Sequence, residues 1–306
     1  MSEKWTTANI PNLSGKVIIV TGANSGVGYE AAKEFARNGA QTILACRSID
    51  KAQTALSQIQ AEIPKASAEI MQLDLASLDS VRQFADAFNA NYQRLDILLN
   101  NAGIMMVPYG TTEDGFERQF GTNHLGHFAL TGLLLDRLLA TPNARVVNVS
   151  SNAHNMGNMD FDNLMFEGGA NYTPTRSYSR SKLANLLFTS ELQRHFTAVG
   201  SSAIAVAAHP GVSRTNLTGH MEDNWYFKLF GPLFWSFVQS AAMGALPLIR
   251  AAVDPQAVGG QYYGPDGLRE MRGYPVVVQS NKASHSDDDA EKLWQVSQKL
   301  TGVSYL

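Results

Sequence analysis

The run Lys16–Gly28, KVIIVTGANSGVG, decides how the rest of the chain is read. Its first six residues, Lys16 to Thr21, form a short β-branched run without polar alternation, the pattern of a strand buried on both faces in a parallel sheet. The run enters Gly22, Gly26 and Gly28 directly, and an Ala-rich helical pattern follows from Tyr29 to Asn38. Glycines at such a junction permit a tight turn and a close approach of backbone to phosphate, and the helix amino terminus offers free N–H groups to the anion. The spacing is TGxxxGxG and not GxGxxG. Between a strand and a helix it reads as a nucleotide loop made of Gly22, Asn24, Ser25, Gly26, Val27 and Gly28, although three glycines also suit a plain turn.

Working outward, the next strand, Thr42 to Cys46, ends at Arg47. In a doubly wound fold this strand end faces the adenosine ribose, where an acid accepts from the 2'-hydroxyl and a cation meets a 2'-phosphate. Cys46, Arg47 and Ser48 include no acid, which favours NADP, with Arg47 as principal ligand and Ser25 and Lys51 as weaker ones; a merely solubilising Arg47 is the alternative. Strand and helix then alternate: Ala68 to Leu73, a helix from Leu78 to Asn91, Leu95 to Leu99, a long helical stretch around Gly115 to Leu139, and Arg145 to Val149. That order predicts an α/β, single-domain doubly wound Rossmann fold, with a central mostly parallel sheet and helices on both faces. We expect one domain over 1–306, with an N-terminal extension (1–14), a substrate-covering segment (215–240) and a C-terminal extension (266–306). Asp74 and Leu75 follow the third strand, where they would hold the adenine ring. Asn101, Ala102 and Gly103 follow the fourth as a turn suited either to the cofactor or to the fold itself.

Composition narrows the function classes. With 44% hydrophobic and 17% charged residues and a net charge of −3, the chain is an ordinary globular protein without the basic balance of a nucleic-acid or anionic-membrane binder. Cys46 is the only cysteine, so no internal disulfide forms. The opening MSEKWTTANIPNLSG shows no signal-peptide pattern, and no apolar run approaches the roughly 18 to 20 residues that span a bilayer; a cytoplasmic location is expected.

Tyr178 and Lys182 stand four residues apart in YSRSK, on one face if the segment is helical. A phenol titrates near 10, and a fixed cation beside it would lower that value and make it a useful proton donor to a carbonyl oxygen. Chance alone gives about a third of one Tyr–Lys pair at this helical spacing, and a second pair exists at Tyr29 and Lys33. Taken in order, TGANSGVG, LDLASLD, NNAG, VVNVSS, YSRSK and HPG resemble the short-chain dehydrogenase/reductase family across roughly residues 15 to 265. The segments ILACRS, GFERQFGTNHLGHF and SYSRSKLANLLF look most like its retinol dehydrogenase branch. LDLASLDSVRQF and TNHLGHF also look like light-dependent protochlorophyllide reductase, against which NNAG stands where a cysteine-bearing variant is expected.

The resemblance implies a catalytic tetrad of Asn123, Ser151, Tyr178 and Lys182, with Ser150 as rival to Ser151. It implies that Tyr178 acts as general acid/base, that Ser151 holds the substrate oxygen, that Lys182 holds the nicotinamide ribose, and that Asn123 binds a water joining the lysine to solvent. Pro210, Gly211, Val212, Ser213 and Thr215 would reach the nicotinamide carboxamide, though an aliphatic residue is usual where Ser213 stands. Tyr29 and Lys33, just past the phosphate loop, read as packing and surface residues. His124 and His127 share a helical face, but no acid or cysteine completes a ligand set and no metal is expected. Met156, Met159, Phe161, Leu164, Met165 and Phe166, with the aromatic run Trp225–Val238, suit a bulky apolar aldehyde or ketone. The same aromatic run leaves peripheral membrane contact or a homo-oligomer interface open. The expected activity is an NADP-dependent interconversion of carbonyl and alcohol; the alternatives are a catalytically silent NADPH-binding sensor or scaffold and a C=C reductase.

Overall fold

Strand β1 (Val17–Thr21) is buried along its whole length, and its side chains divide by parity. Val17 and Ile19 join one apolar cluster, Ile18 and Val20 another. Such a strand needs a layer on each face, and each fully buried aliphatic side chain contributes about 1.5–3 kcal/mol. A computed structural model, describing residues 4–213 and 239–305, shows both layers. The remaining strands are β2 (Gln41–Cys46), β3 (Ala68–Gln72), β4 (Ile97–Asn100), β5 (Arg145–Val149), β6 (Ile204–Ala208), β7 (Tyr262–Pro265) and β8 (Pro275–Val278). They form one sheet in the order β3-β2-β1-β4-β5-β6-β7-β8. All pairings are parallel except that of β8 with β7.

In chain order the described α-helices are α1 (Gly26–Arg37), α2 (Ile49–Glu62), α3 (Leu78–Asn91), α4 (Arg118–Phe120), α5 (Gly126–Leu133), α6 (Leu135–Ala140), α7 (Pro174–Ala198), α8 (Ala241–Val253) and α9 (Asp287–Thr301). Ala31, Phe35, Ile59 and Leu248 carry α1, α2 and α8 into the cluster of Ile18 and Val20. Phe84, Phe128, Leu187 and Trp294 carry α3, α5, α7 and α9 into the opposite one. This is the doubly wound Rossmann arrangement expected from the alternation. Strand order reverses between β1 and β4, so the crevice that such sheets use for ligands opens at Gly22 and Asn101.

The differences from expectation have local causes. Helix α1 begins at Gly26 and not at Tyr29: Gly26 opens it with φ of +58°, and Gly28 in its first turn packs closely against Asn101. The long helical stretch around Gly115 to Leu139 is made of α4, a π-helical turn (Gly121–Leu125), α5 and α6. At that turn Gly121 and Gly126 meet Thr112 and Leu75 so closely that a Cβ would lie 2.7 Å from Thr112 Cγ2 and 2.4 Å from Leu75 O. At the C-terminal edge of the sheet β7 and β8 form an antiparallel pair. Ser286 Oγ accepts Asp289 N at 3.2 Å and opens α9. Residues 215–238 of the covering segment, with Thr215 and the aromatic run Trp225–Val238, lie outside the described residues.

Candidate active site

The glycine loop is tied to the turn after β4 before any ligand is considered. Thr21 Oγ1 accepts the backbone N–H groups of Asn101 and Ala102, both at 2.9 Å, and Asn101 Nδ2 donates to Thr21 O at 2.7 Å. A Cβ on Gly22 would sit 3.0 Å from Ala102 Cα, and one on Gly28 would sit 2.4 Å from Asn101 Nδ2. Gly22 and Gly26 have φ of +68° and +58°, where L side chains are strained. Asn24 lies between them, half-buried, and Val27 turns its side chain into the core. Ser25, the N-cap of α1, makes no side-chain hydrogen bond to the first turn. The N–H groups of that turn therefore point outward beside a tight glycine backbone, a donor set that fits a pyrophosphate.

Ser151, Tyr178 and Lys182 come together at the carboxyl end of β5. Helix α7 is capped by Thr173, whose Oγ1 accepts Arg176 N at 3.1 Å, and it starts with Pro174. It buries every residue from Ser177 to Thr189, so Tyr178 and Lys182 lie inside the molecule. Lys182 Nζ stands 5.6 Å from the centre of the Tyr178 ring and donates to Val149 O at 3.0 Å. Burial pushes the Tyr178 phenol up to about 12, with the Ser151 hydroxyl pulling the other way. Burial likewise pushes the Lys182 ammonium down to about 8. Burial thus disfavours the charged form of each group, so the phenol is raised where the spacing led us to expect a lowered one. The two serines differ. Ser150 is buried and its Oγ donates to Lys182 O at 2.8 Å, whereas Ser151 Oγ accepts Ala153 N at 3.2 Å and is only half-buried.

Asn123 is fully buried in the π-helical turn. Its Oδ1 accepts Ile104 N at 2.8 Å, and its Nδ2 donates to Ile104 O and Ser181 Oγ, both at 3.0 Å. The side chain thus joins the turn after β4 to the helix of Tyr178. Gly103 in that turn lies close to both partners, for a Cβ there would be 3.1 Å from Asn123 Oδ1 and 3.6 Å from Lys182 Nζ.

His127 has a task that spacing did not reveal. Its Nε2 lies 2.9 Å from Thr21 Oγ1 and its Nδ1 lies 3.0 Å from Asn123 O. Thr21 already accepts two N–H groups, so its proton goes to Nε2, leaving Nδ1–H to donate to Asn123. Burial holds this imidazole down at about 4, hence neutral. His124 Nε2 pairs with Ser297 Oγ of α9 at 2.9 Å. Among the described residues, no three metal-ligating groups gather.

At the outer end, Arg47 is exposed beyond β2 and Lys51 is exposed on α2, with Ser48 between them capping α2. Asp74 Oδ1 accepts Ala76 N at 2.9 Å, and Leu75 is buried in the core. At the inner end Gly211 has φ +63°, and a Cβ there would lie 2.5 Å from Met271 O. Pro210 O accepts Gln239 Nε2 at 2.7 Å; Val212 N donates to Met271 O at 2.7 Å and Val212 O accepts Gln239 N at 3.0 Å. The backbone of Val212 is therefore occupied within the protein. Ser213 is buried against Gly244.

The chain matches the short chain dehydrogenase family over residues 16–225. It is 43% identical over 301 residues to human retinol dehydrogenase 13, covering 97% of this chain and 86% of that protein. It is 41% identical over 301 residues to mouse retinol dehydrogenase 12, covering 98% and 90%. A crystal structure of an uncharacterised protein from Mycobacterium paratuberculosis superimposes with a TM-score of 0.82 at 41% identity, covering 99% of this chain and 100% of the other. The chain therefore belongs to the short-chain dehydrogenase/reductase family, in its retinol dehydrogenase-like branch.

Proposed function

We propose that the protein is an NADP-dependent oxidoreductase that interconverts an aldehyde or ketone with an alcohol on a bulky apolar substrate. The observation that carries this reading is the meeting of Ser151, Tyr178 and Lys182 at one strand end, beside a glycine loop that fits a pyrophosphate. A reduced nicotinamide, when bound, supplies the hydride. Tyr178 Oη–H donates its proton to the substrate oxygen, and Ser151 Oγ hydrogen-bonds the same oxygen as negative charge grows on it. Lys182, held at the strand end by its bond to Val149 O, would hold the ribose hydroxyls of that cofactor. Asn123 fixes the turn against which Lys182 rests. The absence of an acid at the end of β2, together with exposed Arg47, supports NADP over NAD.

Hydride transfer from NADPH and from NADH to a panel of lipophilic aldehydes tests the reading. NADPH is expected to be the better donor, and Arg47→Ala should raise KM for NADPH by about tenfold, the worth of one charged hydrogen bond, while leaving KM for NADH nearly unchanged. Equal effects on both would remove the 2'-phosphate assignment. Product analysis separates carbonyl from C=C reduction, and NADPH binding without turnover would mark a silent sensor.

A further inference from the structure

We infer that the C-terminal segment from Tyr262 to His285 positions both halves of the reaction centre through two imidazoles, His154 behind Ser151 and His209 behind the Pro210–Gly211 turn. The inference rests on the function proposed above.

His154 is buried, with Nδ1 at 2.6 Å from Ser151 O and Nε2 at 3.2 Å from Asn281 N. A backbone N–H can only donate, so Nε2 is the bare nitrogen and Nδ1 carries the proton that goes to Ser151. Asn281 closes the arrangement: its Nδ2 donates to His154 O at 3.0 Å, and its Oδ1 caps the turn Lys282–His285 by accepting Ser284 N at 3.0 Å. The imidazole cannot rotate without breaking its bonds on both sides. The backbone bearing the Ser151 hydroxyl is thereby referred to a segment 130 positions later.

His209 repeats the device with the nitrogens exchanged. It is fully buried, and Gly211 N donates to Nδ1 at 3.3 Å, which leaves the proton on Nε2, 3.0 Å from Glu270 Oε2. The Tyr262 ring lies against both imidazoles, with centroids 5.6 Å from His154 and 5.1 Å from His209. The loop that carries Glu270 reaches both sides of the site, for Asn152 Nδ2 donates to Arg269 O at 3.2 Å and Val212 N to Met271 O at 2.7 Å. Arg269 and Glu270 have φ of +50° and +55°, a left-handed conformation that such residues seldom adopt and that these contacts hold in place. Neither histidine touches the reacting atoms; each is a positioning residue with a donor and an acceptor fixed by its neighbours.

The test uses the full chain with NADPH and a lipophilic aldehyde. His154→Asn keeps a side-chain N–H close to the place of Nδ1, whereas His154→Ala removes it. His154→Ala should lower kcat by about tenfold or more, since a small displacement of a catalytic group has effects of that size, with KM for NADPH unchanged. His154→Asn should restore most of kcat. On the cofactor side, Glu270→Ala should raise KM for NADPH severalfold with kcat nearly unchanged, and Glu270→Gln, which keeps an acceptor for Nε2–H, should stay within about twofold of the parent. The inference is overturned if His154→Asn is as poor as His154→Ala, or if all four variants lose kcat and KM together in step with melting temperature. Should the alanine variants not fold, the Asn and Gln variants decide, because either one falling to the level of an inactive enzyme overturns it. Tyr178→Phe is the control. Retained activity in that variant defeats the function proposed, whereas lost activity there beside unchanged His154→Ala and Glu270→Ala defeats only the present inference.

Discussion

Two tyrosine–lysine pairs share one spacing and nearly one local geometry. In Tyr178–Lys182 the ammonium lies 5.6 Å from the ring centre, and in Tyr29–Lys33 it lies 5.5 Å away. Their surroundings differ in kind. Lys33 has Glu30 at 2.9 Å and Glu62 at 3.5 Å, and although burial pulls its pKa down, these carboxylates leave it raised. Its charge is already neutralised. Lys182 has a backbone carbonyl for a partner, and burial drives it down to about 8. Burial raises both phenols, opposed at Tyr29 by Lys33 and at Tyr178 by the Ser151 hydroxyl. A cation near a phenol can be put to catalytic use only when no acid has claimed it, and spacing says nothing about that.

The largest expected difference is in turnover. Tyr178→Phe should lower kcat by about 10²–10⁴-fold, the usual worth of a positioned general acid, and Tyr29→Phe should leave it within about twofold. Steady-state hydride transfer reads both, and equal losses would erase the distinction.

A smaller contrast lies in stability against pH. Lys182 has a pKa of about 8 folded, against 10.5 for an unperturbed lysine, so between those values the unfolded chain binds the extra proton. Unfolding free energy should therefore gain from this group as pH rises from about 8 to about 10.5, and Lys182→Met should flatten that rise in urea-melt profiles. Parallel profiles for parent and variant would mean the ammonium is not desolvated. Lys33 has the opposite sign, since its raised value stabilises the fold as long as it stays protonated. The smallest effect is accordingly Lys33→Met, a loss of about 0.3–1 kcal/mol at neutral pH with kcat unchanged, as measured by denaturant midpoint and turnover.

Local features were legible in the sequence. β1 announces itself by five apolar or β-branched residues entering glycines, and the Ser286 cap is followed by three acids in the first turn of α9. The π-helical turn at Asn123 escaped because an added residue in a helix leaves no mark on composition, and the close contacts of Gly121 and Gly126 that flank it are visible only in three dimensions. Pairings between distant positions escaped for a different reason. Thr21 and His127 are 106 positions apart, and His154 and Asn281 are 127 apart, so nothing in the spacing of either residue predicts the other. The direction of the Tyr178 shift was missed because it depends on depth, which a four-residue motif does not encode.

Gly28 carries one more consequence. The space a side chain would need there is filled by Asn101 Nδ2 and Gly22 O, at 2.4 and 2.6 Å from the position of a Cβ. The loop is thus wedged in shape by its own neighbour across the crevice, and its ordering entropy is lost during folding and not at encounter with a ligand. Calorimetry should accordingly find cofactor association with little conformational penalty, its heat capacity change reporting buried surface alone. Any residue larger than glycine at position 28 would pry the two strand ends apart, and the protein would lose stability and affinity through the same displacement.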